Sequence, residues 1–334
     1  MTNRQVRVTE LPKGTLKQDN FELTEADMPA VQDGQVLVKT TLISIDAAMR
    51  AWMQGATYRA PVKPGDAMPC YAISEVVDGN GTKFQSGDLV AGESVWADYA
   101  ALPARGLMKL PKVEPLSHLM SVYGIAGKTA FHGLVNVGRV IAGETVLVSA
   151  AAGSVGGFVG QIAKAFGCRV VGIAGGPEKC AWVTEELGFD ACVDYRDPGM
   201  FKALRAACPD GVDVYFDNVG GQVLETALFV MNERGRVVCC GAVSQYDTDA
   251  ATGPRNLPGL VVVKRLRMEG FIVMDFVRED AAALRALQTW VASGQIKVTE
   301  DIVEGLENAP AALIGLLAGE NKGKRMVRVA ADPS

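Results

Sequence analysis

The chain has 334 residues, room for two domains, and its 49% hydrophobic and 21% charged content is that of a soluble globular protein. A net charge of −5 and a pI of about 5.3 argue against nucleic acid or an anionic membrane as partner. No apolar run reaches roughly 18 uncharged residues, and MTNRQVRVTE has no signal-type apolar region, so a cytoplasmic protein is expected.

The residue inventory excludes further chemistries. Seven cysteines (70, 168, 180, 192, 208, 239 and 240) show no framework spacing and read as structural thiols in a reducing compartment. Residues 1–117 contain no histidine and a single cysteine, Cys70, so neither a Cys/His/Glu catalytic zinc nor a four-cysteine structural zinc can be assembled there. The two histidines, His118 and His132, are accompanied by no G-x-S-x-G elbow, and no Tyr-x-x-x-Lys pair occurs. No metal site is expected.

In chain order, residues 1–120 are β-rich by pattern. Short strands are expected at Phe21–Leu23, Gln35–Ser44, Ile73–Val77, Asp88–Val90 and Ala97–Ala101, separated by Gly, Asn and Pro turns, with a short helix at Asp46–Gln54. Such spacing suggests a rolled, barrel-like domain. A helical pattern then runs from Leu119 to Val140. Beyond it strands and helices alternate, with strands at Thr145–Ala150, Arg169–Ala174, Ala191–Asp194, Val212–Asp217, Arg236–Cys240 and Arg267–Val273. Helices are expected from Val155 to Phe166 and at Pro177–Leu187, Gly199–Cys208, Gly221–Met231 and Glu279–Ser293. The fold class is therefore α/β: a doubly wound parallel sheet of the Rossmann kind plus a mostly β domain. A helix at Glu307–Ala318 and a strand at Arg325–Ala330 should return to the first domain, giving domains of 1–121 plus 300–334 and 122–299. That arrangement predicts a cleft for the reactive end of a cofactor.

The stretch TVLVSAAAGSVGGFVGQIAKAFGCRVVGIAGG, 145–176, reads as strand, glycine turn, helix and strand. This is the unit that holds a dinucleotide pyrophosphate, because glycines admit the phosphates and the helix N-terminus presents unpaired N–H groups. The usual G-x-G-x-x-G has its first glycine replaced, reading Ala150-x-x-Gly153-x-x-Gly156. Gly160 in mid-helix implies a close helix–sheet contact, since glycine there costs about 1 kcal/mol against alanine. An NAD site usually carries Asp or Glu about 20 residues past the glycines. Here Gly175-Gly176-Pro177-Glu178-Lys179 stands instead, leaving room for a 2′-phosphate with Lys179 as its cation, which points to NADP(H). The alternative for Lys179 is a surface pair with Glu178 or Glu185.

The chain also resembles a known family, the medium-chain dehydrogenase/reductase superfamily, and within it the zinc-free leukotriene B4 dehydrogenase/prostaglandin reductase group with its plant alkenal and bacterial curcumin reductase relatives. The matching segments include SIDAAMR (44–50), AAGSVGGFVGQIAK (151–164), GIAGGPEKC (172–180), DVYFDNVGG (213–221), GRVVCCGAVSQYD (235–247), GFIVMDF (270–276) and GENKGKRMVRV (319–329). The resemblance implies a GroES-like first domain, a homodimer and NADPH-dependent reduction of a C=C bond conjugated to a carbonyl, with a small enone or enal as substrate.

By the same resemblance, Gly153, Ser154, Val155, Gly156 and Gly157 would hold the pyrophosphate. Gly175, Lys179 and Tyr195 would face the 2′-phosphate, with Asn218 near the ribose. The segments Cys240-Gly241-Ala242-Val243-Ser244-Gln245-Tyr246 and Phe271-Ile272-Val273, with Asn321, would line the nicotinamide half, and Thr129 would approach from the linking helix. Hydride addition to the β-carbon places negative charge on the carbonyl oxygen, so the chemistry needs a hydrogen-bond donor there. Tyr246 ranks first, ahead of Tyr71 and Tyr58, and for each a packing role is the alternative. Departures from the family pattern at Ala47-Ala48, Cys70–Ser74 and Phe131 leave the substrate open. A quinone reductase and a non-catalytic NADPH-binding sensor stay as rival readings.

Overall fold

The computed structural model describes residues 2–55, 57, 59–248 and 253–332, and the chain forms two compact units. One comprises Met1–Met120, Glu300–Glu320 and Arg325–Ser334; the other comprises Ser121–Thr299 and Asn321–Lys324.

The first unit is mostly antiparallel β. Strands β1 (Thr2–Val8) and β2 (Phe21–Asp27) pair with each other. The larger sheet is built on β3 (Gln35–Ser44), which pairs with β4 (Pro69–Asp78) and β6 (Tyr99–Pro103). Beyond β4 lie β5 (Leu89–Val95) and β7 (Met108–Lys109). A short helix α1 (Ala48–Trp52) follows β3, and Met49, Trp52 and Met53 are buried in a cluster around Ile43, Met68 and Trp96.

The second unit begins with α2 (Ile125–Phe131), continued by wide turns over His132–Val137. Then strand and helix alternate: β8 (Thr145–Ser149), α3 (Ser154–Ala165), β9 (Arg169–Ala174), α4 (Pro177–Glu185), β10 (Ala191–Asp194), α5 (Met200–Ala207), β11 (Val212–Asp217), α6 (Gly221–Val230), β12 (Met231–Cys239), α7 (Leu257–Lys264), β13 (Arg267–Gly270) and α8 (Asp280–Ala292). The strand order is β10-β9-β8-β11-β12-β13, and each pair is parallel. Every residue of β8 is buried, because helices cover both faces. The period of two then sorts side chains between two cores: Val146, Val148, Val214 and Phe216 join one, Leu147, Val171 and Tyr215 the other. The chain winds outward from β8 to β10 and returns to β11 on its other side. The carboxyl ends of β8 and β11 therefore mark the switch point where such sheets bind ligands.

The chain returns through β14 (Glu300–Glu304), α9 (Ala309–Leu317) and β15 (Lys324–Arg328), the last pairing with β3.

Several elements differ from expectation. The helix predicted over Leu119–Val140 is regular only from Ile125 to Phe131. Its upstream turn folds back so tightly that a Cβ on Gly127 would stand 1.8 Å from the Val122 carbonyl oxygen. Strand β1 is absent from the sequence pattern, since the polar residues of NRQVRV hide the alternation that buries Val6 and Val8. Helix α7 contains Val261-Val262-Val263, a β-branched run that reads against a helix. Strand β14, EDIVE, is acidic enough to read as a loop.

Gly160 faces the ring of Phe189, whose Cζ would lie 1.8 Å from a Cβ at that position. Gly160→Ala should therefore destabilise the protein by about 1–3 kcal/mol through overpacking, read as a lowered denaturant midpoint; an unchanged midpoint would contradict the contact.

Candidate active site

The glycine turn sits between β8 and α3. Ala150 takes a positive φ of 51°, and Gly153 N–H closes the turn on the Ala150 carbonyl at 2.9 Å. Gly156 has no room for a side chain, since a Cβ would lie 2.3 Å from that carbonyl oxygen. The first-turn N–H groups of α3 have no carbonyl a turn earlier to bond. The Ser154 hydroxyl oxygen beside them is buried and, among the described residues, has no hydrogen-bond partner. An orphaned hydroxyl, a backbone cradle and a helix N-terminus fit an anionic group such as a pyrophosphate. Segment 321–323 runs alongside: Gly323 bridges Gly153, and its N–H donates to the Ala152 carbonyl at 2.9 Å.

At the end of β9, Tyr195 packs over Gly175, where a Cβ would meet its ring at 2.8 Å. Lys179, in the first turn of α4, donates its ammonium to the Asn321 carbonyl oxygen at 2.6 Å. Asn321 is buried and donates its amide to the Gly323 carbonyl at 2.8 Å, so it meets Lys179 and the residue that bridges the glycine turn. Glu178 pairs with Lys322 at 2.7 Å, which holds its carboxyl below the usual range. The Arg196 guanidinium lies 5.7 Å from the Tyr195 ring centroid, and among the described residues it enters no side-chain hydrogen bond or ion pair. The sequence reading passes over Arg196, although a cation next to Tyr195 is a visible signal.

The switch point is organised by a residue that motif reasoning does not single out. Asp217 is 2% exposed, and its Oδ1 accepts from the Tyr215 hydroxyl at 2.7 Å, the Ser149 hydroxyl at 3.2 Å and the Val219 and Gly220 N–H groups at 3.0 Å each. Burial and the Asp217 charge push the Tyr215 phenol well above its ordinary pKa, which keeps it a donor. The Asp217 carbonyl accepts from Cys240 and Gly241 N–H at 2.9 and 3.1 Å. Asn218 is fixed from the same place, donating its N–H to Ser149 Oγ at 2.9 Å and its amide to Ser149 O at 2.8 Å.

Segment 240–246 is stitched to this hub. Val243 N–H donates to Asn218 O at 3.2 Å, and the Ser244 N–H and hydroxyl both reach Val219 O, at 3.1 and 2.6 Å. Gln245 donates to Ser244 Oγ at 3.0 Å. The Tyr246 oxygen accepts from Ala242 N–H at 3.1 Å, which ties the side chain to its own segment. Burial pushes the Cys240 thiol up to about 12, so it is a neutral group here. Phe271 stands edge-on to Phe216 with centroids 6.3 Å apart, Ile272 is exposed, and Val273 begins the next turn. Thr129 is 9% exposed, on α2.

Thus the second unit gathers Ser154 and the glycines, Lys179, Tyr195, Asn218 and Tyr246. Tyr71 is half-buried on β4 of the first unit, and Tyr58 lies outside the described residues. No group of three or more His, Cys, Asp or Glu side chains among the described residues is arranged to hold a metal ion.

The family model described as "N-terminal domain of oxidoreductase" matches residues 4–110, and "Zinc-binding dehydrogenase" matches residues 154–289. The NADPH-dependent curcumin reductase of Escherichia coli (strain K12) is 42% identical over 337 residues, covering 99% of this chain and 98% of that protein. The chain belongs to the medium-chain dehydrogenase/reductase superfamily. Within it, the NADP(+)-dependent 2-alkenal reductase of Nicotiana tabacum is 38% identical, covering 98% of each chain. Among solved structures, CurA from Vibrio vulnificus in complex with NADPH superimposes with a TM-score of 0.93 at 36% identity, covering 98% of this chain and 100% of that one.

Asp217→Ala would strand several buried donors, at about 1–3 kcal/mol for a buried group left unpaired. The variant should lose thermal stability and bind a dinucleotide at least tenfold more weakly by fluorescence titration. Undiminished binding would deny the hub its part in shaping the site.

Proposed function

We propose that the protein is an NADPH-dependent oxidoreductase that reduces the C=C bond of α,β-unsaturated aldehydes and ketones without a metal. The observation that carries the reading is the turn after β9, where no acidic residue ends the strand, Lys179 stands in the first turn of α4 and Arg196 lies by the Tyr195 ring, in a chain that aligns end to end with an NADPH-dependent reductase. Arg196 is added here to the 2′-phosphate side, because a guanidinium matches phosphate geometry.

When bound, NADPH supplies the hydride that adds to the β-carbon. The residues of this chain bind and orient: the α3 N-terminus and Ser154 take the pyrophosphate, Asn218 the ribose, and segments 240–246 and 271–273 with Thr129 border the nicotinamide. Charge grows on the substrate carbonyl oxygen, and the Tyr246 hydroxyl is the donor assigned to it here, with the ribose hydroxyl as the other candidate. Water or tyrosine then protonates the α-carbon. Tyr71 and Tyr58 are the alternatives to Tyr246.

The test is NADPH consumption with a medium-chain 2-alkenal, an aryl enone, a prostaglandin-like enone and a simple quinone, with products identified by mass and NMR. Saturated carbonyl products are expected, with NADPH preferred over NADH, and Lys179→Ala should erode that preference. Tyr246→Phe should lower kcat about 10²-fold with little change in NADPH affinity. Hydroquinone as sole product would favour a quinone reductase, and tight NADPH binding without turnover a sensor.

We also propose a homodimer formed through β13. This strand ends the sheet, and Val262, Val263, Met274 and Val277 around it are 72%, 68%, 52% and 63% exposed, an open edge beside apolar side chains. Native mass measurement should give twice the 35.3 kDa chain mass, and Val262→Asp with Val263→Asp should give the monomer. A monomeric parent protein would refute it. A reducing compartment such as the cytoplasm fits the seven cysteines, which form no disulfide, and no described helix is long and apolar enough to cross a membrane.

A further inference from the structure

Two thiols outside the functional assignments touch each other. Cys180 follows Lys179 in the first turn of α4, and Cys192 is the second residue of β10, three before Tyr195. Their sulfurs are 3.1 Å apart, with the Cys192 thiol donating to Cys180 Sγ, and both residues are only partly buried. A disulfide requires about 2.05 Å, so an approach of about 1 Å would join them. Of the residues on the proposed 2′-phosphate side, Lys179 lies on α4, and Tyr195 and Arg196 follow β10 directly.

We infer that Cys180 and Cys192 form a reversible oxidation site, in which a disulfide between α4 and β10 displaces the first turn of α4 and weakens NADPH binding. The disulfide itself is independent of the proposed function; its effect on NADPH rests on that reading. The oxidant is a hydroperoxide. The Cys180 thiolate attacks the peroxide oxygen, the O–O bond breaks, and an alcohol leaves as sulfenic acid forms. The Cys192 thiol attacks that sulfur, the S–S bond forms and water leaves. In sum, two thiols and one hydroperoxide give one disulfide, one alcohol and one water, with two electrons passing from sulfur to the peroxide oxygens.

The hydrogen bond sets the order of events. Burial raises the pKa of both thiols, but the S–H donated by Cys192 favours the Cys180 thiolate and holds the proton on Cys192. Cys180 is the attacking sulfur and Cys192 the resolving one. Both are protonated at neutral pH, so the reaction should be slow there and accelerate as pH rises.

The experiment treats the full-length protein with tert-butyl hydroperoxide, blocks remaining thiols, and maps cross-linked peptides without reduction. The expected result is a link between Cys180 and Cys192 within one chain, reversed by dithiothreitol, and absent in Cys192→Ala and in Cys180→Ser. NADPH titration by fluorescence should show Kd raised about threefold or more in oxidised protein, since displacements near 1 Å carry costs of that order and above. Cys192→Ala should bind NADPH normally before and after peroxide. A link to another cysteine, or stable over-oxidation of Cys180 without a link, overturns the site. A Cys180–Cys192 link with unchanged Kd overturns the coupling to NADPH. Failure of the untreated protein to bind NADPH at all would instead count against the proposed function, leaving the link to be judged by the peptide map.

Discussion

The carboxylate of Asp217 is the constraint on which the candidate site depends. A buried charge is tolerated only when donors surround it, and here the donors belong to separate segments. Ser149 ends β8, Tyr215 lies two residues back on β11, and Val219 and Gly220 begin the connection to α6. The main-chain carbonyl of the same residue collects Cys240 and Gly241 after β12. The carboxyl ends of three neighbouring strands are thus fixed around one residue. Loops that would otherwise be free to drift are held where a cofactor must find them, in the manner of side chains that support a site without touching the ligand.

Close packing supplies the second constraint. Gly156 and Gly160 bring α3 against the turn and against Phe189, and Gly133 gives Phe216 and Phe271 the space of a missing side chain. These contacts set the height of the helices over the sheet, and with it the distance between the α3 N-terminus and the strand ends. At the start of α4, Lys179 reaches across to Asn321, and Lys322 to Glu178. The short returning segment 321–323 is thereby held to α4 and to the glycine turn. Sequence distance is no guide to this association, since 142 residues separate Lys179 from Asn321.

Much of the second unit was legible because its signals are local. Arg169–Ala174, Ala191–Asp194 and Val212–Asp217 are strands with the boundaries that their apolar runs imply, because in a parallel sheet the short apolar run is itself the strand signal. The elements that escaped are those whose character comes from partners. Thr2–Val8 is a strand because Phe21–Asp27 lies beside it, and Leu257–Lys264 is helical despite its valines because it packs against the sheet. The linking helix stops short because Gly127 and Ser121 close a turn that periodicity does not reveal.

The sequence by itself determined the class of fold, the glycine turn and the absence of an acid at the end of β9, since these rest on residue type and short-range spacing. It also determined that the first 117 residues hold no histidine and a single cysteine, a matter of composition alone. Only the tertiary structure decided that Asp217 is the hub, that Lys179 meets Asn321, and that Cys180 touches Cys192. The reason is physical. Backbone conformation and burial are dictated largely by near neighbours and by hydrophobic period, whereas a hydrogen bond between side chains from different elements depends on ångström-scale distances that exist only once the helices have packed.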